Sequence, residues 1–78
     1  MIIKKFVLID NVDKVKEFVS ATNKFSHDVK VIRSTHEVDA KSIMGLFTLD
    51  LSSPVTMEFH EDDEKMADSL IGKFYVKG

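Results

Sequence analysis

Cysteine is absent from the 78 residues. That excludes a disulfide staple and any thiolate metal site, so the core must stabilise the fold unaided. It also fits a reducing cytoplasm, the expected location. Glycine is almost as scarce: the three glycines stand singly at 45, 72 and 78, and no phosphate-cradling loop can be built from them. No run approaches the roughly 18 apolar residues of a membrane span. Nor does a basic stripe interleave with aromatics; with a net charge of −2 and a pI near 5.8, direct nucleic-acid binding is not expected. Repeats, linkers and low-complexity segments are missing too, so residues 1–78 read as one domain. A chain of this size buries roughly 60% of its unfolded surface, and one core is only marginally sufficient.

What is present is patterned. The first run, 1-MIIKKFVLID-10, has its lysines inside the apolar stretch and reads as a strand, not a signal peptide. Asp10 and Asn11 offer helix caps, and Val12, Val15, Phe18, Val19 and Thr22 then recur at helical steps, with Phe25 closing the stripe. Val29 and Val31 alternate with Lys30 as a half-buried strand does. The polar Ser34-Thr35-His36-Glu37 reads as a turn into a short return strand carrying Val38 and Ala40. A short helix over 43–49 follows, opened by Ser42. Ser52-Ser53-Pro54 breaks the chain before the alternating Val55, Met57 and Phe59. The acids of 60-HEDDE-64 suit the first turn of a last helix, in which Met66, Ala67, Leu70, Ile71 and Phe74 have helical spacing. This order predicts an α+β fold: an open-faced sandwich with a four-stranded, mainly antiparallel sheet and three helices, one of them short, on one face. A ferredoxin-like arrangement shares most of the order, and a short 43–49 helix in place of a long crossover argues against it.

Ser42 has two readings. A serine at this position caps a helix, contributing about 1 kcal/mol relative to alanine. A modifying enzyme could also add a phosphate there, changing the local charge by about −1.5 to −2. The residues after it sharpen the second reading. Ile43, Met44, Leu46, Phe47, Leu49 and Leu51 cannot all point inward from so short a helix. With the leucines inward, Ile43, Met44 and Phe47 remain partly exposed as a docking surface beside Lys41. Gly45 within the helix hints at close packing or close approach.

The three histidines, 27, 36 and 60, lack a serine, cysteine or arginine at a spacing that builds a catalytic pair. They read as surface residues, and no enzymatic activity, cofactor or metal is expected. His60 with its acidic neighbours lacks the spacing of a calcium loop, and helix capping accounts for the acids.

The segment 40-AKSIMGLFTLDL-51 resembles the regulatory-serine segment of HPr, the phosphocarrier of the bacterial sugar phosphotransferase system, and 23-NKFSHDVKV-31 is similar to the end of that family's first helix and its second strand. The resemblance implies an HPr-like open-faced sandwich over nearly the whole chain. It also implies a partner set: an HPr kinase/phosphorylase-type enzyme acting on Ser42, and a LacI-type catabolite regulator reading the modified face through Lys41, Ile43, Met44 and Phe47. In that family the first helix opens on a phosphoryl-accepting histidine, followed by an arginine and a proline. Here the loop reads 8-LIDNVDKVKEF-18, and those three positions fall on Asn11, Asp13 and Lys14. The resemblance is to members that lack the histidine and keep the serine. Two classes therefore compete: a module switched at Ser42, and an interaction domain that is never modified.

Overall fold

Alternation organises the sheet. The computed structural model describes residues 1–78. The first strand, β1 (Ile2–Val7), buries Val7, partly buries Ile3, and leaves Ile2, Lys4 and Phe6 on the opposite face. The strand β4 (Val55–His60) repeats the pattern, with Val55, Met57 and Phe59 inward. The two pair antiparallel from Ile2↔His60 to Val7↔Val55 and form the centre of the sheet. The hairpin of β2 (Lys30–Arg33) and β3 (His36–Asp39) joins the far side of β4, and β5 (Tyr75–Val76) pairs with β1. The order is β3-β2-β4-β1-β5, with every pairing antiparallel. The fifth strand is an addition to the four expected from sequence; at two residues it is too short to show a period.

The turn between β2 and β3 also differs from expectation. Only Ser34 and Thr35 form it, and His36 opens β3 opposite Arg33. Ser34 takes φ 55°, the left-handed conformation that a two-residue hairpin requires. Serine adopts it without the Asn-Gly signature that would have announced it.

The helix α1 (Val12–Thr22) starts where Asn11 stops being extended, and its Oδ1 accepts the Lys14 amide at 2.9 Å. Val15, Phe18, Ala21 and Thr22 face the sheet, whereas Val12 points to solvent and falls outside the stripe assigned to it from sequence. The helix α2 covers only Ile43–Leu46, ending short of the expected 49. Thr48 explains the ending: its amide and its hydroxyl both bond to the Gly45 carbonyl, at 3.1 and 2.6 Å, tightening the chain into i→i+3 turns. The helix α3 (Glu64–Ile71) packs beside α1 and buries Ala67 and Ile71, after which a 3-10 turn over Gly72–Phe74 leads into β5. Met66, placed on its apolar stripe by spacing, is exposed. Sheet and helices share one apolar core, with Phe18, Phe59, Ile9, Leu46 and Met57 among its largest buried side chains.

The acidic run before α3 behaves differently from simple capping. Glu61–Asp63 is a 3-10 turn whose cap is His60, Nδ1 accepting the Asp62 amide at 3.0 Å. Asp63 makes no side-chain cap bond to α3. Its carboxylate is 3% exposed and accepts three bonds from the loop after α1: Ser26 N at 2.9 Å, Ser26 Oγ at 2.8 Å and His27 N at 3.1 Å. Burial pushes the Asp63 carboxyl upward, but the hydrogen bonds from Ser26 and His27 outweigh it and hold it below its ordinary value. A depressed folded pKa stabilises the protein above the unfolded value of about 3.9, and that stability is lost as pH falls through the folded value. Asp63→Asn should therefore cost about 2 kcal/mol in urea unfolding at pH 7. The deficit should shrink in strong acid; an equal deficit at both extremes of pH would contradict the clamp.

Candidate functional site

Thr22 sets the position of the Ser42 segment. Its hydroxyl is fully buried at the end of α1, 2.9 Å from the Ala40 carbonyl and 3.2 Å from that of Val19. Asn23 adds Nδ2 to the Lys41 carbonyl at 3.2 Å, and the Lys41 ammonium reaches the Phe25 carbonyl at 3.3 Å. Asp39 Oδ1 takes the Lys41 amide at 2.9 Å, and the Asp39 carbonyl takes that of Ser42 at 3.0 Å. The chain thus reaches Ser42 already fastened on both sides. Lys41 belongs to the fastening, its charge drawn toward the end of α1.

Ser42 is extended (φ −106°, ψ 110°), and its Oγ accepts the Gly45 amide at 3.1 Å. The cap expected from sequence is present, and the serine is only partly buried. A β-carbon at Gly45 would lie 3.4 Å from Ser42 Oγ and 3.5 Å from Val38 Cβ, so the glycine keeps the space beside the hydroxyl open. Leu46 is fully buried, whereas Met44 is 75% and Phe47 48% exposed. Ile43, Leu49 and Leu51 are intermediate, packed against the core from its margin.

These exposed residues meet the start of α1. A groove of about 230 Å³ runs between Asn11, Val12 and Val15 on one side and Phe47, Leu49 and Leu51 on the other. Val12, 53% exposed, extends the apolar surface beyond it. The residues at the two motifs, treated separately in sequence, therefore lie on one face of the molecule. The open amide of Asn11 is spent on capping α1, and Asp10 pairs with Lys14 at 2.9 Å. Lys14 and the bond it donates hold the Asp10 carboxyl below its ordinary value. Asp13 is exposed at the first turn.

The histidines lie elsewhere. His36 is exposed on the edge strand β3. His60 ends β4 opposite Ile2, at the other end of β1 from the loop that carries Asn11. His27 stacks on His60 with ring centroids 4.0 Å apart and planes at 20°. Sequence reasoning missed this pair, because the fold alone brings the two segments together.

An all-antiparallel sheet with its helices on one face, and a serine-capped short helix against the long first one, defines an open-faced α+β sandwich of the HPr type. The chain belongs to that family: the profile described as "PTS HPr component phosphorylation site" matches residues 13–74. Members are phosphocarrier proteins of the phosphotransferase system, not enzymes, and interact with other components of that system. Two solved structures are similar. HPr-C-His from Thermoanaerobacter tengcongensis has a TM-score of 0.74 at 24% identity, over 95% of this chain and 90% of that one. Phosphocarrier protein HPr from Bacillus anthracis str. Ames has a TM-score of 0.74 at 25% identity, over 94% of this chain and 96% of that one. No curated protein sequence matches the chain. The short α2 accords with this arrangement and not with a ferredoxin-like crossover. No helix is long and apolar enough to cross a membrane.

The exposure pattern predicts a split in stability. Leu46→Ala should cost about 3 kcal/mol, whereas Met44→Ala should stay within about 0.5 and Phe47→Ala below about 1 kcal/mol. Thermal unfolding of the three variants checks this; a large loss from Met44→Ala would place that side chain in the core.

Proposed function

We propose that this chain is a cytoplasmic, HPr-like regulatory or interaction module of the sugar phosphotransferase system, a single unit over residues 1–78, that does not carry phosphate on histidine. The observation that carries the reading is the shared face at α1 and α2. A partly buried Ser42 precedes exposed Met44 and Phe47, and the loop opening α1 offers an asparagine where an imidazole would be needed. An amide nitrogen is not a nucleophile comparable to imidazole, because its lone pair is delocalised into the carbonyl. Asp13, exposed in the first turn, adds negative charge near the position, which repels phosphate. The stacked pair His27–His60 lies at the far end of the sheet from Asn11, so neither ring substitutes.

Phosphorylation of Ser42 by an HPr kinase/phosphorylase-type enzyme would place a dianion at the start of α2 without disturbing the core, since Leu46 supplies the packing and Ser42 only the cap. A LacI-type catabolite regulator could then read the phosphate with a basic residue while Ile43, Met44 and Phe47 fill an apolar recess on it. The groove between Asn11 and Phe47 also supports a second reading, in which an apolar side chain of a partner docks with no modification at all.

Incubation with such a kinase and ATP should add one phosphate by intact mass, and Ser42→Ala should abolish it while costing about 1 kcal/mol of stability through the lost cap. An unmodified wild-type chain would leave only the second reading. Incubation with enzyme I and labelled phosphoenolpyruvate should yield no acid-labile label; label on any histidine would overturn the loss of carrier activity.

A further inference from the structure

The pair of histidines far from the proposed docking face has a third neighbour. His27 Nε2 lies 3.0 Å from Asp62 Oδ2, and His60 Nδ1 lies 3.4 Å from the same oxygen. One ligand atom from each of the three residues falls within a common 4.8 Å. Ligands bound tetrahedrally at about 2.0–2.1 Å stand roughly 3.3–3.4 Å apart. The His60–Asp62 separation already equals such an edge, the His27–Asp62 contact is a hydrogen bond slightly shorter than one, and the two ring nitrogens lie within 4.8 Å of each other. We propose that His27, His60 and Asp62 form a binding site for a borderline divalent transition ion, represented by Zn²⁺, with solvent completing the coordination.

The donor set selects the ion. Two imidazoles and one carboxylate suit zinc, copper or nickel, whereas calcium and magnesium seek oxygen alone. Glu61 is not among the side chains whose ligand atoms converge, so water takes the remaining position. The backbone is prepared for the site by the buried carboxylate next door. Asp63 holds the Ser26 and His27 amides, so the segment bearing one imidazole is tied to the turn bearing the other two ligands.

Binding exchanges two existing contacts for metal bonds. His60 Nδ1 gives up the Asp62 amide, which solvent can satisfy at this exposed turn, and His27 presents Nε2 as a lone pair with its ring proton on Nδ1. The stacked rings must also splay, because in-plane lone pairs of near-parallel rings do not converge on one ion. Side-chain exposures of 42% for His27 and 29% for His60 leave them room to turn. The bound ion would cross-link the loop after α1 to the end of β4, and ligand linkage would raise the melting temperature.

The test uses the untagged full chain, titrated with Zn²⁺ by calorimetry and by histidine ring signals in NMR, with Mg²⁺ as control. The expected result is saturation at one equivalent of Zn²⁺, with the His27 and His60 signals moving, His36 unmoved and no response to Mg²⁺. His27→Gln and His60→Gln should each weaken binding by no less than the roughly tenfold that outer-shell changes cost. Asp62→Asn, which keeps the amide bond to His60 and so the turn, should weaken it too, and His36→Gln should not. A titration that fails to saturate, a response equal at all three histidines, or unchanged affinity in the His27 and His60 variants would each overturn the site.

Discussion

The buried hydroxyl of Thr22, donating to the Ala40 carbonyl, decides where the β2–β3 hairpin ends relative to α1. A polar group with no access to water must find a partner, and this one finds it on the segment that leads into Ser42. Asn23 and Lys41 repeat the connection at the surface. Beyond Ala40 and Lys41 the chain forms only a four-residue helix, which Thr48 ends by bonding twice to the Gly45 carbonyl. Such a helix buries one side chain, Leu46, and the surplus apolar residues are left facing outward. The exposed apolar face is thus a consequence of how short this helix is.

Much of this was legible in the residues. The order of elements, the Asn11 and Ser42 caps and the exposure of Met44 and Phe47 follow from periodicity and from counting how many apolar side chains a short helix can hide. The failures have separate physical causes. A two-residue strand has no period, so β5 left no trace. Serine at a left-handed turn position carries none of the glycine or asparagine signal, so the hairpin loop was drawn too long and took in His36. Thr48 ended α2 through its own hydroxyl, an event that composition does not encode. Asp63 looked like one more acid ahead of a helix. Only the fold revealed that it faces the loop after α1.

The candidate site was legible in its parts and not in its assembly. Asn11 and Phe47 could be named from the sequence, but the groove between them needed the packing of α2 across α1. The same holds for His27 and His60, each unremarkable alone. Side-chain chemistry can be read from a chain locally, whereas convergence is a property of the tertiary contacts.

The sheet order has a consequence for how this molecule can associate. Its free margins are β3, whose residues include His36, Glu37 and Asp39, and β5, which offers only Tyr75 and Val76. One border carries carboxylates and the other is too brief to template a neighbour, so an incoming extended peptide finds little ladder to join. What the molecule offers a neighbour is therefore side chains more than backbone, and the apolar ones among them gather at Met44 and Phe47.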